Sequence, residues 1–254
     1  YKRQDLIIVA GRPAMGKTAF SLNIAENVAI STHLPVAIFS MEMGGVQLVM
    51  RMLGSVGRLD QGLLKTGQLQ DEHWARLNDA LHKLSDAPIF IDETPALNSL
   101  EVRARVRRLA RRKGKLGLVV IDYLQLMSGT GHNSNNRAAE LGEISRSLKS
   151  LARELDIPII ALSQLSRTVE SRTDKRPMMS DLRESGAIEQ DADLIMFMYR
   201  DEYYHPDTDK KGMAECIIGK HRNGPTGKIP LVFTGEFSKF DNAVHTGHTY
   251  FTEE

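Results

Sequence analysis

One cysteine, Cys216, stands in 254 residues, so no disulfide can form within the chain. It lies in the apolar run Cys216-Ile217-Ile218 and is expected to be a buried core thiol. No apolar stretch reaches the ~18 residues of a membrane-spanning helix, and no signal-peptide pattern is present. The expected protein is soluble and cytoplasmic, with no membrane partner. Excess charge is also missing: 33 Lys and Arg against 32 Asp and Glu leave a net charge of +1. A bulk polycation is thereby excluded, and any nucleic-acid contact has to come from a local patch or from several subunits lining one channel. The 8 histidines form no H-E-x-x-H or Cys/His cluster. His245 and His248 read as incidental tail residues rather than metal ligands. Neither an internal repeat nor an interdomain linker interrupts the chain.

What is present is an ordinary globular composition, 41% hydrophobic and 26% charged, enough for a sizeable core. Apolar runs at 6–10, 35–40, 89–91, 118–121, 159–162 and 194–199 read as strands, with helix-patterned segments near 17–30, 46–57, 71–84, 98–113 and 138–155 between them. Near-continuous apolar strands alternating with helices predict an α/β domain: a mostly parallel twisted sheet with helices on both faces. After residue 200 the pattern changes. Runs at 214–219 and 229–233, joined through Asn223-Gly224-Pro225-Thr226-Gly227, predict a C-terminal β-hairpin that continues the sheet at one edge. One domain over 1–240 is expected, with 241–254 as an extended tail. Residues 128–136 and 166–181 leave strands as polar stretches and read as loose loops, placed where ligands meet open α/β sheets. Seven basic residues between 102 and 113, Arg103, Arg107 and Arg108 among them, read as a solvated or subunit-contacting helix face rather than a DNA site.

The segment Gly11-Arg12-Pro13-Ala14-Met15-Gly16-Lys17-Thr18 is a complete G-x-x-x-x-G-K-[ST] phosphate loop. It follows an apolar strand, and Thr18 and Ala19 open a helix-patterned stretch, the context this motif requires. The glycines let the backbone wrap an anion, and N–H groups at the helix start face it. Lys17 is expected to reach the β- and γ-phosphates of a nucleoside triphosphate, and Thr18 to bind Mg²⁺.

Other polar residues stand at strand ends. Asp122 closes the apolar run 118–121 and suits a Walker B carboxylate that holds Mg²⁺; alone it equally suits a residue that starts a loop. Glu42 follows the second strand. A carboxylate there takes a proton from the attacking water or orients it, although a helix N-terminal acid favoured by the macrodipole gives the same spacing. Gln164, past the fifth strand, can donate to a γ-phosphate while staying neutral, or can be an ordinary solvent-facing amide. Lys220 and Arg222 precede the Asn-Gly-Pro turn. Such cations suit charge stabilisation in phosphoryl transfer, supplied from a neighbouring subunit as an arginine finger; exposed basic hairpin residues are equally often just solvated.

Together these motifs resemble one family in its order. The phosphate loop, Phe39-Ser40-Met41-Glu42-Met43, Ile121-Asp122-Tyr123-Leu124-Gln125-Leu126 and Leu162-Ser163-Gln164-Leu165 are followed by a long run from Ser180 to Asp193 and by Lys220-His221-Arg222-Asn223-Gly224-Pro225. The chain is similar, over nearly its whole length, to the RecA-like ATPase domain of bacterial replicative DNA helicases of the DnaB family. That resemblance implies a ring-forming motor, a homo-hexamer that spends ATP (or another NTP) with Mg²⁺ to move 5′→3′ on single-stranded DNA and unwind duplex. It implies Glu42 as the catalytic carboxylate, Gln164 as the γ-phosphate sensor, and Lys220 and Arg222 as elements supplied in trans. It also puts Arg183, Glu184 and Gly186 on the loop that holds the DNA backbone. Arg183 suits phosphate pairing and the Gly186 N–H suits a close approach to oxygen, whereas Glu184 is expected to orient Arg183 or bridge subunits. Primase and a helicase loader are the implied protein partners. Met41 stands where the family often has leucine, and His221 where glutamine is common; neither removes a catalytic group. The chain starts almost on the first strand and lacks the family's N-terminal helical domain and linker helix, so it reads as a fragment expected to assemble poorly alone. A related RecA-like recombination ATPase or a nucleotide-gated scaffold are the competing expectations.

Overall fold

Six apolar runs become the parallel part of one sheet. In the computed structural model, which describes residues 2–129, 137–182 and 186–243, they are β1 (Leu6–Gly11), β2 (Val36–Ser40), β3 (Ile89–Asp92), β4 (Leu118–Asp122), β5 (Ile159–Gln164) and β6 (Leu194–Tyr199). Every residue of β1, β2, β4 and β6 is buried, because helices cover both faces and neither meets water. Three further strands, β7 (Met213–His221), β8 (Gly227–Thr234) and β9 (Lys239–Asn242), continue the sheet antiparallel beyond β6. The spatial order is β3-β2-β4-β5-β1-β6-β7-β8-β9.

The helices are α1 (Lys17–Thr32), α2 (Gly45–Gly57), α3 (Gln61–Thr66), α4 (Asp71–Asp86), α5 (Ser99–Lys113), α6 (Arg137–Leu155), α7 (Gly186–Asp191) and α8 (Asp201–Tyr204). Alternation along β1 divides the core. Leu6, Ile8 and Ala10 pack with Val102, Val106, Ile144 and Leu148 of α5 and α6. Ile7 and Val9 pack on the other face with Leu22, Ala25, Leu48 and Met52 of α1 and α2.

The α/β architecture, the parallel sheet and the edge hairpin are as the apolar pattern predicts. Several details differ. Helix α1 starts at Lys17 as expected and runs on to Thr32, two residues further than the pattern. The short helices α3, α7 and α8 carry too few residues for a periodic signal. Strand β9 runs through Asn242, so Asp241 and Asn242 belong to the sheet rather than to a tail; residues 244–254, with His245 and His248, lie outside the described residues, as do 130–136 of the expected loop. Residues 166–181 are long but pinned. Arg172 donates to Asp181 at 2.8 Å, and Arg176 grips Glu215 through two bonds of 2.9 and 2.7 Å. The basic run on α5 is used partly inside the chain. Arg103 and Arg107 share Glu154 of α6, and Arg105 clasps Asp92 at the end of β3. Asn98 and Glu101 exchange bonds of 2.9 Å as a capping box, and Arg111, Arg112 and Lys113 lie at the opposite, partly negative end of that helix. Cys216 is buried, and burial pushes its thiol up to about 11.

A buried polar network ties α1 to α2 and to the β9 edge. Asn23 donates to Ser55 at 2.9 Å and accepts from the Phe240 amide at 2.8 Å; Ser55 donates to Glu26 at 2.8 Å. The second Glu26 oxygen has no partner among the described residues, and burial pushes this carboxyl up to about 8. Folding therefore favours neutral Glu26, a contribution fully present below the unfolded value of 4.5 and lost as pH rises through about 8. Denaturant melts should lose stability across that window, by several kcal/mol at ~1.4 kcal/mol per pKa unit. Glu26→Gln should flatten the loss and leave the protein more stable than the parent above it. A parent and variant with the same pH slope would contradict this.

Candidate active site

The carboxyl ends of β1, β5, β4 and β2 finish at one edge of the sheet, because parallel register sets Gly11 beside Gln164 and Ser40 beside Asp122. A fully buried strand tolerates a polar group only at its tip. The phosphate loop leaves β1 there. Ala14 and Gly16 take left-handed backbone, φ 64° and 89°. At Gly16 a Cβ would also meet the Phe240 ring at 2.7 Å, so only glycine closes this turn without a clash.

A cavity of about 300 Å³ opens over the loop. Pro13, Ala14, Gly16, Lys17, Thr18 and Ala19 line it together with Glu42, Asp122 and Gln164. The structure thus brings together five chemistry-bearing residues that the sequence spreads over almost 150 positions. Gly11, Arg12 and Met15 do not line it. Met15 is 1% exposed, buried in the core, and the Arg12 side chain turns to Glu170 and the Leu165 carbonyl, both at 2.8 Å. An apolar side chain and a salt-bridged guanidinium are held where they satisfy the interior, so these three positions can offer an anion only their backbone.

Lys17 Nζ donates back to the Arg12 carbonyl at 3.1 Å. Burial lowers its ammonium below the usual lysine range, against the pull of Asp122 and Glu42. Thr18 Oγ1 donates to Asp122 Oδ2 at 2.9 Å. Burial pushes the Asp122 carboxyl up to about 6, with the Thr18 bond opposing and Glu42 adding to the rise. The adjacent Thr18 hydroxyl and Asp122 carboxylate are hard oxygen donors facing a polar cavity. That donor set fits Mg²⁺, which takes one or two protein ligands and keeps its waters. No cluster of three or more His, Cys, Asp or Glu suited to a metal occurs among the described residues.

Glu42 sits in a turn fixed from below: Ser40 Oγ donates to the Met43 carbonyl at 2.7 Å, and the Met41 amide donates to the Asp122 carbonyl at 2.9 Å. Gln164 is held by its backbone. Gln125 donates to the Gln164 carbonyl at 3.2 Å and to Ser163 Oγ at 2.9 Å, and accepts from the Gln164 amide at 3.2 Å. Lys220 and Arg222 are not part of the cavity. They sit at the far end of β7, where His221 pairs with Leu194 at the start of β6. Gly186 begins α7 as an exposed residue with open space around it, and Arg183 and Glu184 lie outside the described residues.

Met43 and Tyr123 also line the cavity; sequence reading missed Arg51, Phe233 and Ser238, which line it too, and Arg200, which stacks on Phe233 at 4.2 Å and donates to the Ala14 carbonyl at 3.1 Å. Arg51 comes from α2, Phe233 and Ser238 from the antiparallel edge and Arg200 from just past β6, and no motif marks them.

The chain matches the family model "DnaB-like helicase C terminal domain" over residues 1–242. It belongs to that family. Relatives include the replicative DNA helicase DnaB of Geobacillus stearothermophilus and the replicative DNA helicase DnaC of Bacillus subtilis (strain 168). Each is 57% identical over 242 residues, which cover 95% of this chain and 53% of the relative. The chain therefore spans about half the length of the curated relatives it matches. Among solved structures, one described as an ATPase domain superposes with a TM-score of 0.92 at 41% identity, over 96% of this chain and 86% of that one. A DnaB-like replicative helicase, solved with attention to its interactions with primase, gives the same score and identity over 96% and 58%. The DnaB-like C-terminal fold is thus this fold, and membership implies nucleotide use. No helix among the described residues is long and apolar enough to cross a membrane.

Lys17→Ala should weaken binding of a nucleoside triphosphate roughly tenfold to a hundredfold, the worth of a charged hydrogen bond at about 1.5–3 kcal/mol. The thermal midpoint should hold or rise, since the change removes a cation that is costly to bury. Calorimetric titration and a melt check both; unchanged affinity contradicts the assignment.

Proposed function

We propose that this chain is the motor domain of a ring-shaped replicative DNA helicase, in which ATP binds in one subunit and is completed for hydrolysis by the next. The observation that carries this reading is the separation of the two cation sets. Continuing the β1–β6 register brings Gly11 level with Met198, while Lys220 and Arg222 flank the level of Leu194. The strand between those levels spans roughly 13 Å at about 3.3 Å per residue, and the phosphate loop and Arg222 project beyond its opposite ends. Arg222 therefore serves a phosphate only if a second copy presents its own loop, which a head-to-tail ring does at every interface.

Within that site the loop amides and Lys17 bind and orient the β- and γ-phosphates. Thr18 and Asp122 hold Mg²⁺, which supplies charge neutralisation on the phosphate oxygens. Glu42 orients the attacking water and takes its proton. Gln164 donates to the γ-phosphate and, through its Gln125-held backbone, passes the change to residues 166–181. Arg222, with Lys220, stabilises the charge that spreads over the transferred group. Arg183, Glu184 and Gly186 track the backbone of single-stranded DNA, so hydrolysis around a homo-hexamer moves the strand 5′→3′. The two curated relatives are named as replicative DNA helicases, which supports this assignment. A cytoplasmic location suits that substrate, and primase and a helicase loader are the partner classes.

In the full-length protein, Arg222→Ala should cut DNA-stimulated turnover roughly 10³-fold or more while nucleotide affinity stays within about twofold; equal loss of both contradicts the in-trans role. Arg183→Ala should weaken single-stranded DNA binding and reduce the salt slope by about 1. A slope that does not change counts against a phosphate contact there.

A further inference from the structure

Asp193 joins α7 to β6, and its side chain is only 7% exposed. Three elements converge on it. Its Oδ2 accepts from the Leu6 amide at the head of β1, at 2.8 Å, and from Lys149 Nζ of α6. Its Oδ1 lies 3.5 Å from Arg222 Nη1, and its carbonyl accepts from the Arg222 amide at 2.9 Å. The other guanidinium nitrogen, Nη2, donates to the Gln190 carbonyl of α7. Lys149 is anchored in turn, donating to the Gln4 carbonyl at 2.9 Å.

The strand that carries Arg222 is shaped to meet this carboxylate. Ile195 pairs with Lys220 and Met196 with Ile218, so Gly219 is an extra residue, a β-bulge. A Cβ at Gly219 would come within 2.5 Å of the Phe197 ring. A bulge shifts the side-chain alternation beyond it and re-aims the residues that follow; here those are Lys220 and Arg222. Arg222 stays 46% exposed, anchored at its root and open to a neighbour at its edge. A long side chain held this way has less orientation to lose when it meets a phosphate.

We propose that Asp193 is a positioning residue for Arg222: it fixes the direction of the guanidinium that acts on the neighbouring subunit's nucleotide, while Lys149 balances the charge on its second oxygen. The proposal rests on the reading of Arg222 as an in-trans element. Loss of the Asp193 charge therefore damages not the site of the subunit that carries the substitution but that of the next.

The test uses full-length rings with single-stranded DNA and ATP. Asp193→Asn keeps an acceptor for the Leu6 amide and removes the charge; Asp193→Glu, which keeps the charge on a longer arm, replaces it if the Asn variant does not assemble, with the same outcomes. The expected result is a kcat lower by roughly tenfold to a hundredfold, with KM within about twofold. Mixing with Lys17→Ala subunits should then restore turnover above the average of the two parents, because Lys17→Ala subunits still present an intact Asp193 and Arg222. Arg222→Ala mixed in the same way is the control. Unchanged kcat, or an Asp193 variant that mixing does not rescue while Arg222→Ala is rescued, overturns the proposal and leaves the in-trans reading standing. If Arg222→Ala is not rescued either, the in-trans reading fails and the proposal falls with it.

Discussion

A strand buried on both faces can carry no charge along its length, so its chemistry is forced to the ends. In this chain β1, β2 and β4 are closed to water throughout and β5 up to its last residue. Gly11, Asp122 and Gln164 accordingly collect at one edge by register, and the turn after Ser40 brings Glu42 to them. The dry sheet below makes the arrangement stiff and keeps the charges desolvated. Lys17 and Asp122 are both pushed toward neutrality by burial, and each partly relieves the other. A polyanion with a divalent cation would supply the charge this edge lacks.

The opposite end carries the other cations. Lys220 stands next to the last residue of β7 and Arg222 just past it, and the antiparallel run of that half-exposed strand carries both to the amino edge of β6. There the carbonyls of α7 and the carboxylate of Asp193 receive them. In the proposed reading, one chain presents an anion-binding edge and a cation-bearing edge on opposite sides. Self-complementarity of that kind is heterologous and closes into a ring or runs into a filament.

Much of the fold was legible because long apolar runs leave little choice. The starts of the six parallel strands lie within about one residue of the apolar runs, within the usual ambiguity of element ends. What was hidden carries no such signal. Strand β9 is the polar tetrapeptide Lys239-Phe240-Asp241-Asn242, recognisable only through its pairing with β8. Helix α7 has six residues, fewer than two turns. At the candidate site, Lys17, Thr18, Glu42, Asp122 and Gln164 were legible because strand ends fix their neighbourhood. Arg51, Phe233 and Ser238 were not, since they reach the cavity from a helix face and from the far sheet edge, and Arg200 acts only behind Phe233. Asp193 was visible only as part of a motif; its role depends on Leu6, Lys149 and Arg222, three residues that the chain separates widely and the sheet brings together.

A nucleotide site built from two chains is directly visible in an electron cryo-microscopy structure of the full-length protein with single-stranded DNA, Mg²⁺ and a non-hydrolysable ATP analogue. The Arg222 guanidinium should then lie within hydrogen-bond distance of the γ-phosphate on the adjacent subunit's Lys17 and Thr18. Rings in which every Arg222 stays on its own Gln190 carbonyl, with each nucleotide enclosed by a single chain, would contradict a site built from two chains.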